Sequence, residues 1–232
     1  MRWPEQNADT VWGRAIINRQ QKMRVAEQVA LQLKDNDVIG VGSGSTSFLT
    51  LKALANRRDK EGLHFRAIAT SIEMELVCVS FAIPVVSLLN ERPDWSFDGA
   101  DEVDAKDNLI KGRGGAMLRE KMLMSACKRV YIVVDPTKRV RRLGQNFPVP
   151  IEVIPEALRL VEQNLAKIKA IEHITLRQAK AKDGPVITET GNLIVDVKFG
   201  AIDNGMERRL KSIVGVVESG LFIGYKPTVI IG

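Results

Sequence analysis

The chain is poor in aromatic residues, cysteine and histidine, and it holds no long apolar run. Aromatics make up 5% of its 232 residues. The interior therefore has to be filled by Val, Ile, Leu and Ala, the usual side chains of buried parallel strands and the helices that cover them. Its two cysteines, Cys78 and Cys127, lie far apart inside apolar segments, which reads as buried free thiols in a reducing compartment. Neither these nor the two histidines, His64 and His173, fall at metal-ligand spacing. No stretch approaches the ~20 apolar residues of a bilayer span, and the opening MRWPEQNADTVWGR lacks the apolar core of a secretory signal. The expectation is a cytoplasmic protein with neither membrane nor nucleic acid as partner.

What is present in excess is positive charge. Lys plus Arg number 34 against 28 Asp plus Glu, a net +6. Such a surplus raises the local concentration of anions, whether nucleic acid, acidic lipid or phosphorylated metabolite, without choosing among them. The densest basic stretch, Lys138-Arg139-Val140-Arg141-Arg142, and the shorter Arg57-Arg58 and Arg208-Arg209-Leu210-Lys211 read mainly as solvated faces and loop ends.

Strand and helix patterns alternate along the first two thirds. Helical periodicity runs from Ile16 to Leu33, followed by the apolar Val38-Ile39-Gly40-Val41, a glycine-serine turn, and a second helix through Phe48, Leu51, Leu54 and Ala55. Strand, turn, helix is half of a Rossmann-like unit. Phe65–Ala69, Pro84–Leu88, Trp95–Asp98 and Val130–Val134 read as further strands, with helices from Ile72, behind a Thr70-Ser71 cap, and from Gly115 to Cys127. From Gly144 the texture changes. Phe147–Val153 alternates and carries two prolines, suggesting an edge or extended segment. A helix near 155–169, then short strands at Ile174–Arg177, Val186–Thr188 and Leu193–Val197, argue for a small α+β module. The apolar segments Ile213–Val217 and Thr228–Ile231 close the chain. The predicted organisation is an extension over 1–15, a Rossmann-like parallel-sheet domain over 16–142, a smaller ferredoxin-like α+β domain over 143–212, and a return to the first domain over 213–232.

Three segments carry chemistry. Ser43-Gly44-Ser45-Thr46 stands where a strand becomes a helix, so main-chain amides, hydroxyls and the helix N-terminus suit an anion. An ordinary capped turn remains open there. The segment lacks the Gly-Lys-Ser/Thr ending of a P-loop and the GxGxxG dinucleotide spacing. Phe97-Asp98-Gly99-Ala100-Asp101-Glu102-Val103-Asp104 packs four acids behind an apolar strand. They repel one another unless they face water, a cation or a substrate; oxygen ligands suit magnesium or calcium, but the EF-hand spacing is absent. Leu109 to Lys121 sets Lys111 at a strand end, a turn of Gly112, Arg113, Gly114 and Gly115, and Glu120 inside a helix. A surface ion pair is the plain alternative for Glu120. Together these groups form the inventory of a sugar isomerase: one carboxylate to carry a proton between adjacent carbons, donors for a developing oxyanion, and a phosphate grip for orientation. That route needs neither nicotinamide nor metal.

The motifs VGSGST at 41–46, FDGADEVD at 97–104, LIKGRGGAMLREK at 109–121, VDPTKRVRRLG at 134–144 and GNLIVDVKF at 191–199, in that order, resemble those of type A ribose-5-phosphate isomerases. The resemblance implies interconversion of ribose 5-phosphate and ribulose 5-phosphate through an enediolate, without cofactor, by a homodimer or homotetramer. It implies that Glu120 is the general base, that Asp98 and Asp101 with the intervening Gly99 and Ala100 meet the sugar hydroxyls, and that Lys111 and the amides of Gly112, Arg113 and Gly114 face the oxyanion. Ser43, Gly44, Ser45 and Thr46, with Lys138 and Lys22, would hold the phosphate or neighbouring hydroxyls.

Two departures stand out: GSGST replaces the usual GTGST, and KGRGG replaces KGGGG. Arg113 therefore occupies a backbone position that must tolerate a side chain. Trp3 and Trp12 are candidate anchors against a partner subunit. The alternatives are another phosphorylated aldose as substrate, a CoA-transferase, or a noncatalytic sugar-phosphate sensor. The sensor would need a helix-turn-helix, which the few residues before Met23 are too short to supply.

Overall fold

The computed structural model describes residues 15–181 and 183–232; the candidate anchors Trp3 and Trp12, and Lys182 of the expected polar turn, lie outside them. In chain order the regular elements are α1 (Arg19–Ala30), β1 (Asp37–Val41), α2 (Ser45–Glu61), β2 (Phe65–Ala69), α3 (Ile72–Ser80) and β3 (Trp95–Asp98). There follow β4 (Glu102–Val103), β5 (Leu109–Ile110), α4 (Met117–Ala126), β6 (Val130–Val134), β7 (Val149–Val153), α5 (Leu158–Leu165) and β8 (Ile171–Leu176). The last are β9 (Leu193–Phe199), α6 (Met206–Lys211), β10 (Val216–Ser219), β11 (Leu221–Phe222) and β12 (Thr228–Ile231). The chain divides into two compact units, one of residues 1–99, 119–137 and 227–232, the other of residues 100–118 and 138–226.

The first unit is built on a five-stranded parallel sheet in the order β12-β6-β3-β1-β2. All five residues of β1 are buried, as expected of a strand covered on both faces. Ile39, Val41 and Ala67 join Val25, Val29, Leu51, Leu54, Met74 and Val77 in the main core, while Val38 and Ile68 pack with Leu123 of α4. Gly40 makes that second contact feasible, because a Cβ there would stand 2.8 Å from the Leu123 side chain and 2.6 Å from Ser96. The α2 helix stops at Gly62, which takes the left-handed conformation (φ 67°) and returns its N–H to Arg58. Ser71 caps α3, its hydroxyl accepting the Met74 N–H at 3.2 Å.

The second unit holds an antiparallel sheet in the order β10-β7-β9-β8, with α5 and α6 contributing Val161, Leu165, Met206 and Leu210 to its core. It also holds a three-stranded sheet, β11-β5-β4. Sequence and structure differ at three elements. Pro84–Leu88 forms only an isolated bridge, between Val85 and Ala67; Val86 and Leu88 pack partly buried against Val38, Ile68 and Leu123, while Pro84, Val85 and Ser87 are exposed. Val186–Thr188 likewise contributes a single bridge, Ile187 to Leu193. The proline-marked β7 is an interior strand, buried at all five positions. Pro150 is tolerated because the β10 ladder covers only Ile151–Val153, and the Pro150 carbonyl still accepts the Gly220 N–H at 2.7 Å. Of the two closing apolar segments, β12 joins the first sheet beside β6, and β10 pairs with β7 in the second unit.

Candidate active site

In the first unit β1 runs into Gly42-Ser43-Gly44 and then directly into α2. Gly44 is the N-cap at φ 89°, with nothing around its Cβ position, and its carbonyl accepts the first helical bond from Phe48 N–H at 2.9 Å. The amides of the first turn of a 17-residue helix lack intrahelical acceptors there, which makes the turn attractive to an anion.

Each serine of the loop is tied to a charged side chain. The Ser43 hydroxyl donates to Glu120 Oε1 at 2.5 Å, and Glu120, in the first turn of α4, is 5% exposed. The Lys22 ammonium, buried on α1, donates to Ser45 Oγ at 3.1 Å and stands 3.9 Å from Asp135 Oδ2. Asp135 follows the end of β6, and its other oxygen accepts the Thr137 N–H at 3.0 Å. Asp98 ends β3 with its carboxylate accepting the Gly99 N–H at 2.7 Å. A Cβ on Gly42 would fall inside that carboxylate, so the Asp98 side chain occupies the space that only a glycine leaves open after β1. Thr46 is buried, and its carbonyl accepts the Thr50 hydroxyl.

The second unit carries the remaining candidates. Asp101 N–H donates to Ile110 O, and Lys111 N–H donates to Gly220 O, which sets both on the three-stranded sheet. The Lys111 side chain is buried, with its ammonium 5.9 Å from the Phe222 ring centroid. The turn after it reaches positive φ at Gly112 (102°) and Gly115 (85°), but not at Arg113 or Gly114. The arginine therefore sits without backbone strain, as the sequence required, and is exposed. Its N–H donates to Asp101 Oδ2 at 3.2 Å. Ala100 is half-buried between the two acids. Lys138 ends a short 3-10 turn begun at Pro136, with its ammonium 5.1 Å from the Phe147 ring centroid.

The acid cluster resolves into different roles. Glu102 is fully buried and accepts the N–H groups of Gly144 (2.6 Å), Asn146 and Phe147 (2.9 Å). Asp104 accepts the N–H groups of Lys106 (2.8 Å) and Asn108 (2.9 Å). These two carboxylates are taken up by backbone donors, which relieves the repulsion within the segment. Among the described residues, no group of three His, Cys, Asp or Glu side chains is placed to hold a metal ion, and no helix is long and apolar enough to cross a membrane. Sequence reading passed over two groups: Asp135, signalled only by its place after a buried strand and before a proline, and Arg177, for which the local sequence carries no signal.

A parallel α/β sheet with a glycine-serine loop at a helix N-terminus, a lysine on one of its serines and a buried carboxylate on the other has the parts that sugar-phosphate isomerase chemistry calls for. Residues 66–232 match the family model of ribose 5-phosphate isomerase A (phosphoriboisomerase A), and the chain belongs to that family. It is 41% identical to the ribose-5-phosphate isomerase A of Prochlorococcus marinus strain MIT 9312, over 92% of this chain and 91% of the other. Its fold matches the solved ribose 5-phosphate isomerase A of Methanocaldococcus jannaschii at a TM-score of 0.89, with 39% identity, over 93% of this chain and 96% of that one. It also matches a D-ribose-5-phosphate isomerase solved in complex with phospho-erythronic acid at a TM-score of 0.85, with 38% identity, over 91% and 93% of the two chains.

Proposed function

We propose that the isomerisation of ribose 5-phosphate to ribulose 5-phosphate, the activity of the family, is carried out here with Glu120 as the proton carrier. The observation that supports this assignment is the 2.5 Å hydrogen bond from Ser43 to Glu120, which fixes one carboxylate oxygen against the anion loop. A sugar whose phosphate is drawn to the α2 N-terminus then has its position set relative to the base by the protein itself. Glu120 removes the proton from C2 and returns it to C1. The electron pair moves into a C1–C2 double bond, and the carbonyl oxygen takes up charge as an enediolate.

Lys111 and the amides of Gly112, Arg113 and Gly114 stabilise that oxygen. Asp98 and Asp101, flanking Gly99 and Ala100, bind the sugar hydroxyls and assist proton movement between O1 and O2. Lys22, Lys138 and Ser43 to Thr46 hold the phosphate. The reading includes a cytoplasmic homodimer or homotetramer that takes a phosphorylated pentose and no nucleic acid.

The test is conversion of ribose 5-phosphate in a chelator-containing buffer made with heavy water, with Glu120→Gln beside the parent. The expected result is turnover by the parent with deuterium entering the product at C1, and a loss of at least 100-fold in the variant. A variant that retains parental turnover moves the base to another residue. A folded parent without turnover removes ribose 5-phosphate as the substrate.

A further inference from the structure

We propose that Arg177 is a positioning residue for the reaction, acting through the turn that follows Lys111; this rests on the reading of that turn as the oxyanion site. Arg177 comes directly after β8, its N–H pairing with Ile194 O at 2.9 Å. Its guanidinium meets both oxygens of Asp196 on β9, Nε at 2.7 Å from Oδ2 and Nη2 on Oδ1. Nη1 points the other way and donates to two consecutive carbonyls, Gly112 O at 2.9 Å and Arg113 O at 3.0 Å. Four of its five N–H bonds are thus directed within the protein, and its charge is balanced by a side-on carboxylate. An arginine so engaged is not a phosphate ligand. It is a fork whose planar geometry dictates where two peptide groups point.

The consequence follows from peptide planarity. In a trans peptide the N–H is directed opposite to the C=O, and the described chain has no cis bonds. With the Gly112 carbonyl turned to Arg177, the Arg113 N–H is turned away from it and donates to Asp101 Oδ2. With the Arg113 carbonyl also turned to Arg177, the Gly114 N–H is turned away as well. One guanidinium therefore aligns two successive amides on the side of the turn opposite to itself, and hydrogen bonding at their carbonyls makes those amides stronger donors. Of these amides, that of Arg113 holds the Asp101 carboxylate, and that of Gly114 is turned to the same side, beside Lys111, where a developing enediolate oxygen requires a donor. Within the turn the Gly112 carbonyl also accepts the Gly115 N–H at 3.2 Å, and Asp101 holds the Arg113 N–H; Arg177 adds the bond to the Arg113 carbonyl and thereby sets the second peptide.

The experiment uses the full-length protein, with Arg177→Lys and Asp196→Asn as independent variants and ribose 5-phosphate as substrate. An ammonium cannot serve a carboxylate and two carbonyls in one plane. Arg177→Lys should lose at least tenfold in kcat with KM within threefold of the parent. Affinity for phospho-erythronic acid, whose carboxylate carries charge where the enediolate forms, should fall by the same factor as kcat. Affinity for ribitol 5-phosphate, which has no carbonyl, should stay within twofold. Asp196→Asn should fall in the same direction, and the double variant should be no slower than the slower single one.

A folded Arg177→Lys protein with kcat within threefold of the parent overturns the proposal, as does a loss that affects both inhibitors equally, since that marks general damage. Failure of the parent to isomerise, or parental turnover by Glu120→Gln, would instead count against the reading of the site.

Discussion

Gly42 and Asp98 share one space: a β-carbon on the glycine would overlap the aspartate carboxyl group. The glycine-serine loop and the first acid of the FDGADEVD segment are thereby locked to each other through adjacent strands, β1 and β3. Gly42→Ala should displace Asp98, destabilise the protein by about 1–3 kcal/mol as overpacking does, and reduce turnover by at least 100-fold. Thermal melts and kcat measured on the same preparation check both parts; parental activity in the variant would show that Asp98 can move without consequence.

Glu102 should behave as a structural residue despite its place among the candidate acids. Its carboxylate closes the segment from Gly144 to Phe147 by accepting three backbone N–H groups in a fully buried site. Glu102→Gln presents an amide N–H to at least one of these donors, and should cost about 2–4 kcal/mol in a urea titration.

The lysine turn should discriminate sharply between adjacent positions. Arg113→Ala, at a residue of ordinary φ that is exposed, should change stability by less than about 0.5 kcal/mol. Gly112→Ala should cost about 2 kcal/mol or more, since φ is 102° there and its Cβ would stand 2.9 Å from Met117 and 3.1 Å from Pro150. Equal losses at the two positions would contradict the backbone geometry described here.

Alkaline stability should carry the signature of Cys78. Burial, reinforced by the charge of Glu75, pushes its thiol up from 9.0 to about 12. Above pH 9 the unfolded thiol releases its proton while the folded one keeps it, so the folded state loses about 1.4 kcal/mol per pH unit until the folded thiol also ionises. Cys78→Ala should be less stable than the parent at pH 8, because a buried sulfur has been removed. By pH 10.5 the gap should shrink by about 2 kcal/mol, as read from urea midpoints at both pH values. The same shift predicts that Cys78 resists alkylation in the native protein at pH 8.

Much of the first unit was legible because its signals are local. The β2 strand begins and ends where the apolar pattern does, Ser71 caps α3 as its position before Ile72 implied, and Gly44 opens α2 at the turn read from GSGST. What escaped depends on partners distant in sequence. Pro150 suggested an edge, yet a strand interior accepts it where the neighbouring ladder has ended. Glu102 resembled its acidic neighbours until the amides of residues 144–147 supplied its partners. Arg177 reaches the lysine turn across more than sixty positions of sequence, a separation that no periodicity records. The chemistry-bearing segments were easier to read because glycines and acids clustered at strand ends have few structural uses.

The place of β12 bears on synthesis. Its partner β6 ends at Val134, and β12 begins only at Thr228, so a ribosome delivers all of the second unit before the strand that completes the first sheet. Until then one edge of β6 offers unpaired N–H and C=O groups to any passing strand, and closing so long a connection is slow relative to local folding. The nascent first unit is therefore the species on which chaperone demand and co-translational aggregation of this protein should concentrate.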